Sequence, residues 1–153
     1  MRARCYFVVS PALAGVLHPE QKGFVPGRQG SDHIKGVNEE FYTAVDEDRD
    51  YYILSIDTRK AFDSIFVDYL HAVLHALNMP IWFINLVRCL YHRARVSPVF
   101  GNGMTGIWIE LLRGVRQGFP LSPLLFAIAM DPRVERMRAL KDIAARAFAD
   151  DLI

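Results

Sequence analysis

Two adjacent carboxylates, Asp150 and Asp151, follow an apolar run in "RAFADDLI", residues 146–153. Neighbouring acids repel, and a strand apolar on both sides is a costly place to hold them unless a cation or solvent reaches them. Any fold of this chain must bring the end of that strand to water or to something positive. The rest of the sequence can build a core around it: 153 residues, 52% hydrophobic and 12% aromatic, suit one globular domain.

Charge and cysteine usage narrow the classes. Lys and Arg number 18 against 17 Asp and Glu, a formal net charge of +1. No global basic field advertises nucleic acid, so a polyanion would have to be held locally. Cys5 and Cys89 lie far apart with no CxxC or Cys/His cluster, which suggests neither a zinc site nor a disulfide framework and makes reduced, intracellular thiols the default. No apolar run approaches the roughly 20 residues of a membrane span. The start, "MRARCYFVVSPALAGVL", loosely imitates a secretory signal, but Pro11 interrupts it and "HPEQKGFVPGR" runs on without a break.

The pattern of elements is mixed. The loop "QKGFVPGRQG" is irregular, and Ser31 or Asp32 caps a helix whose apolar positions Ile34, Val37, Phe41 and Val45 recur at intervals of three and four. That helix ends in the solvated acidic run "DEDRD". "YYILSID" reads as a buried strand ending at Asp57. Asp63 stands where it would cap a helix from about Val67 to Leu77, with Val67, Leu70, Leu74 and Leu77 on one face. A second helix follows Pro80 with Ile84, Val87 and Tyr91 inward. "RVSPVF" and "GIWIELL" flank "GNGMT" as a β-hairpin. After the loop "RGVRQGFPLSP" comes a helix from about Leu124 to Arg138 carrying Pro132, and "ARAFA" is the last strand. Interspersed helices and hairpin strands indicate the α+β class, an antiparallel sheet packed on helices. His71, His75 and His92 lie in helical segments with no carboxylate or cysteine to complete a metal set, and read as surface or interhelix polar groups.

Three separated pieces carry candidate chemistry: "SIDTRKAFDSI", "GVRQGFPLSPLLF" and "AFADD". Singly, each has a bland reading. A strand-end Asp forms turns, the Gly114–Pro123 loop connects elements rigidly, and "ADD" is commonplace. Together they meet one demand, since Mg²⁺ takes hard oxygen ligands and is usually held by one or two carboxylates together with substrate phosphates. Asp57 at one strand end, opposite Asp150 and Asp151, would supply that anchor and remove the repulsion between the terminal pair.

These residues resemble the reverse transcriptases of non-LTR (LINE-type) retrotransposons. "QKGFVPGRQGSDHI" is similar to the family's fingers segment, "SIDTRKAFDSI" to its motif A, "GVRQGFPLSPLLF" to its motif B, and "FADD" stands in place of Tyr-Ala-Asp-Asp. The likeness covers about residues 17–153 in matching order. It implies a right-hand polymerase palm with part of the fingers and the thumb absent: about 1–50 and 81–113 fingers-like, about 51–80 and 114–153 palm-like. It implies Asp57, Asp150 and Asp151 as catalytic residues holding two Mg²⁺ (or Mn²⁺) ions. It further implies Phe62 beneath the sugar of the incoming deoxynucleoside triphosphate, Gln117 and Gly118 lining the nucleotide and template pocket, and Arg116 and Arg28 reaching phosphates. Phe148 replaces the family's Tyr, keeping the ring and losing a hydroxyl. RNA template, DNA primer and the missing fingers and thumb segments of a longer polypeptide are the implied partners, with nuclear placement following from retrotransposition. The returning strand of the catalytic hairpin and the primer-gripping elements are expected to be missing, so the isolated chain is expected not to extend a primer. The alternative is a non-catalytic remnant that binds nucleic acid or protein through the same fold.

Overall fold

The run "LSPLLFAIAM" lies at the centre of the molecule. In the computed structural model, which describes residues 15–101, 103–116, 118–140 and 143–153, every side chain from Leu124 to Met130 is buried. A helix apolar all round has to be covered on all sides. This helix, Ser122–Arg138, is α5, the last of five among the described residues; α1 is Ser31–Asp46, α2 Ala61–Ser64, α3 Val67–Ala76 and α4 Ile81–Tyr91. The signal-like start with Cys5, and the predicted site residue Gln117, lie outside the described residues.

Apolar spacing explains the two helices that cover α5. Leu70, Val73 and Leu74 of α3 are buried against α5 and α4, and α4 turns in Phe83, Ile84, Val87 and Tyr91. Their junction is tight. Asn78 adopts a left-handed φ of 51°, its N–H reaches the His75 carbonyl, and the Met79 N–H reaches back to Leu74 O at 3.0 Å. These two bonds form a Schellman cap, closed by apolar contact of its flanking residues. Pro80 then starts α4. Asp63, expected to cap α3, lies instead inside α2. The N-cap of α3 is Phe66, in extended backbone and without a side-chain cap.

α1 departs from the sequence reading at its start. Gly30, not Ser31 or Asp32, is its N-cap, and no side chain caps it. Its apolar stripe faces outward: Ile34 is 66% and Val45 59% exposed, while His33 and Ala44 are buried. A polar joint sets this rotation. Arg146, just before the last strands, donates from both terminal nitrogens to the two carboxylate oxygens of Glu40, and Tyr51 adds a hydroxyl at 3.3 Å. Gly36 makes room, since a Cβ there would lie 2.9 Å from the Arg146 guanidinium. A bidentate charge-assisted pair fixes orientation in a way apolar contact does not, so the face bearing Gly36 and Glu40 turns inward.

The strands are short. β1 (Arg95–Val96) pairs with β2 (Ile109–Glu110) in the predicted hairpin, with Arg95 opposite Glu110. β3 (Ala147–Phe148) pairs antiparallel with β4 (Asp151–Leu152). Contrary to expectation, the terminal hairpin does have a returning arm: Leu152 is buried, stands opposite Ala147 of β3 in register and exchanges backbone hydrogen bonds with Ile56 on its other flank, while Arg146 and Ile153 exchange the bonds that close the hairpin. Residues 20–22 run parallel to β3 on its other side, through Lys22 N–H to Ala147 O and Ala147 N–H to Glu20 O. "YYILSID" is not the buried strand its composition suggested. Among the described residues it pairs only at Ile56, because β4 is two residues long, and Tyr52 is 86% exposed. No helix of the described residues is long and apolar enough to cross a membrane.

Two outcomes check this packing. Phe83→Ala, which empties a fully buried ring site, should cost about 3–5 kcal/mol in urea unfolding, whereas Ile34→Ser on the outward stripe should change stability by less than about 0.5 kcal/mol. The Arg146 hydrogen bond holds the Glu40 carboxyl below the usual carboxylate range. A carboxyl whose folded pKa is depressed stabilises the fold above its unfolded value of about 4.3 and loses that contribution as pH falls through the folded value. Glu40→Gln should therefore flatten the acid limb of the stability–pH curve below about pH 4.5, and an unchanged limb would show that the pair does not couple to folding.

Candidate active site

The acids sit on a hairpin whose backbone is buried. With Phe148 opposite Asp151, the turn of that hairpin is Ala149–Asp150. Ala149 has a φ of 57°, a left-handed conformation that costs an L-residue with a Cβ roughly 1–2 kcal/mol. Such a residue persists where its surroundings over-determine it. Here they do so through Gln21, which is fully buried. The Gln21 amide oxygen accepts from Ala149 N–H and Gly23 N–H, both at 3.0 Å, and its amide nitrogen donates to Ala149 O at 3.4 Å. Gly23 presses on the same residue, and a Cβ there would fall 2.1 Å from the Ala149 nitrogen.

One bridge joins the two distant acid-bearing segments. Ile56 and Leu152 exchange N–H···O bonds of 2.8 and 3.0 Å. The next pair along an antiparallel register is a non-hydrogen-bonded one, where side chains approach more closely, and that pair would be Asp57 with Asp151. Thr58 Oγ1 donates to Asp150 O at 3.3 Å, tying the turn to the same segment. Asp57 and Asp151 are exposed and Asp150 is half-buried. Among the described residues none of the three takes part in an ion pair. Nor do three or more acidic, His or Cys side chains gather into a metal-holding group. Like charges opposite one another are unfavourable, and both exposed acids lie in water, as the terminal pair required.

The other predicted residues are distributed around this edge. Phe62, half-buried, stacks on Phe126 of α5 with centroids 4.5 Å apart and a 12° interplanar angle, and meets Phe24 edge-on. The "GVRQG" loop is laced to it, since Val115 N–H donates to Phe62 O at 2.8 Å and Gly114 N–H to Ile65 O at 2.7 Å. Gly118 is exposed at a φ of 78° with nothing close by, the left-handed region that favours glycine. Exposed Arg116 lies with its guanidinium carbon 5.9 Å from the Tyr91 ring centroid. Arg28 serves another end than the phosphate contact expected of it: its guanidinium donates to the backbone carbonyls of Leu17, His18 and Gln21. It holds the loop that carries Gln21. Asp131 of α5 braces the same loop by accepting from His18 N–H at 2.6 Å, while burial raises its own pKa.

Sequence reasoning passed over Gln21, Gly23 and Asp131. The only signal was an amide residue two places before a glycine in a Gly/Pro loop, which by itself distinguishes nothing. A cleft of about 770 Å³ between α3, α4 and β2 is lined by Asp68, Glu110, Arg88 and Arg93 among others and contains none of the three acids. Its charges are mixed, and His71 there has a pKa lowered by burial. The candidate chemistry belongs to the open hairpin edge.

Comparison with known proteins agrees with this assembly of motifs. The model of the family "Reverse transcriptase (RNA-dependent DNA polymerase)" matches residues 7–153. A transposon TX1 uncharacterized 149 kDa protein of Xenopus laevis is 31% identical over 92% of this chain and 12% of its own length. Retrovirus-related Pol polyproteins from R2 retrotransposable elements of Drosophila melanogaster and Nasonia vitripennis are 32% and 30% identical over 88% and 91% of the chain, and over 13% and 14% of their own lengths. The chain thus spans about an eighth of these relatives. Over residues 7–153 the chain belongs to the reverse transcriptase family, among the members carried by non-LTR retrotransposons.

Proposed function

We propose that this chain is the palm with part of the fingers of an RNA-directed DNA polymerase, and that Asp57, Asp150 and Asp151 hold two Mg²⁺ (or Mn²⁺) ions. The observation that supports the reading is the antiparallel Ile56–Leu152 bridge, whose register, carried one pair further, would bring Asp57 across from Asp151, with Asp150 in the adjoining turn. The donor set suits a hard divalent cation, because the three carboxylates are solvent-reachable and take part in no ion pair among the described residues. When bound, such ions lower the pKa of an attacking hydroxyl and neutralise a leaving pyrophosphate.

In the reaction, a primer 3′-hydroxyl attacks the α-phosphate of a deoxynucleoside triphosphate. A new P–O bond forms, the bond to the β-phosphate oxygen breaks, and pyrophosphate departs. The chain contributes position and charge, with no covalent enzyme intermediate. Phe62, fixed by its stack on Phe126, presents a rigid ring beneath the incoming sugar, where a 2′-hydroxyl would clash. Gly118 and Gln117 line the nucleotide and template pocket, and Arg116 reaches a phosphate from the same loop. Arg28 acts at one remove, through the loop that holds the hairpin. RNA template and DNA primer are held mainly through their backbones.

Mn²⁺ titration followed by amide line broadening tests the reading. Broadening should concentrate at Asp57 and at residues 149–152, and Asp150→Asn should weaken the apparent affinity by about tenfold or more. Broadening spread evenly over the surface, or unchanged by Asp150→Asn, would leave a non-catalytic binding remnant as the better account.

A further inference from the structure

We infer that Gln21 is a positioning residue for the acid-bearing turn, acting as a side-chain extension of the sheet that fixes where Asp150 stands. In a strand, residues two apart offer their N–H and C=O groups along the same edge. Residues 20–22 occupy that edge at Ala147, through Ala147 N–H to Glu20 O and Lys22 N–H to Ala147 O. Their backbone goes no further, because the chain turns at Gly23. The Gln21 carboxamide continues the ladder instead, accepting from Ala149 N–H and donating to Ala149 O. A carboxamide offers an acceptor and a donor in one plane, as a peptide group does. A carboxylate offers acceptors only, and an apolar side chain offers neither.

The turn is therefore not held by the hairpin alone. Its strained residue, Ala149, is gripped by a segment more than a hundred positions away in sequence. That segment is secured by Arg28 on three carbonyls and by Asp131 on His18 N–H. Asp150 follows directly on Ala149, so the rotation of the Ala149 peptide sets the direction of its carboxylate. The inference rests on the reading of these acids as a metal site only for its effect on metal affinity; the grip itself is readable without metal.

Gln21→Met removes both polar atoms at nearly constant length. In the 153-residue chain the Ala149 amide should lose its protection from hydrogen exchange relative to Leu152, and apparent Mn²⁺ affinity at Asp150 should fall about tenfold, the usual scale for groups that orient metal ligands. Combining it with Ala149→Gly, which accepts a left-handed φ without strain, should restore the melting temperature and leave the Mn²⁺ affinity low. A merely structural glutamine would recover both together. Retained protection at Ala149, or unchanged Mn²⁺ affinity in a folded Gln21→Met chain, overturns the inference. Should the unsubstituted chain bind no Mn²⁺ at Asp150, the metal reading fails, and exchange at Ala149 still decides the grip.

Discussion

Burial of the first half of α5 on every side is the constraint from which the site follows. Seven consecutive side chains, Leu124 to Met130, are withdrawn from water, so no face of that stretch is left to solvent and each neighbour has an assigned place. α3 lies along it, with the Tyr69 hydroxyl donating to Ala129 O at 2.9 Å. Phe62 stacks on Phe126 from the segment that follows Asp57. Ala147, Ala149 and Leu152 of the terminal hairpin join the same apolar cluster. Two stretches more than ninety positions apart thus rest on one core, and pairing of Ile56 with Leu152 is the consequence. The approach of the segment that carries Asp57 to the one that carries Asp150 and Asp151 is a by-product of covering a helix.

Apolar packing sets contact without setting angle, and the polar joints of the molecule occur where angle matters. Glu40 with Arg146 fixes the rotation of α1, Arg28 collects three carbonyls of the 17–21 loop, and Asp131 takes the amide of His18. Each joins segments far apart in sequence or holds a loop with no regular hydrogen bonding of its own. Removing one partner of such a joint leaves a desolvated group unsatisfied, which costs more than the bond contributes. That asymmetry makes these joints sharp about geometry even where they add little stability.

The legible parts of the sequence were those governed by local repetition. α3 and α4 follow apolar residues at three- and four-residue intervals, α5 follows a continuous apolar run, and α3 and α5 are found within about two positions of their predicted ends. The β1–β2 hairpin follows its glycine-rich turn. The three acidic and glycine-rich motifs were visible because their residue types and order together are specific. What was illegible depended on distant partners. The apolar stripe of α1 is regular in sequence, yet the way it faces is set by Arg146 on Glu40 and not by Ile34 and Val45. "YYILSID" has the composition of a buried strand, yet composition does not say how long its neighbour is. Gln21 looked like an ordinary loop residue, since nothing local reveals that its amide faces Ala149.

The terminal run also shows how a buried strand carries exposed acids. "ARAFAD" was expected to be apolar on both sides, but its alternation is that of a one-sided strand. Ala145, Ala147 and Ala149 are buried, while Arg146, Phe148 and Asp150 point toward the other face, half-buried or exposed. The inward residues are alanines because the backbone of residues 20–23 approaches closely, as the 2.1 Å clash of a Gly23 Cβ with Ala149 shows. A larger side chain at 147 or 149 would lift the hairpin from α5 and move the acids with it. The outward residues are then relieved one by one: Arg146 by Glu40, Phe148 by partial burial, Asp150 and Asp151 by water. The scaffold is dry and its charges are wet, so the repulsion between neighbouring carboxylates is met at the surface while the backbone that aims them stays fixed by Gln21 and the core beneath.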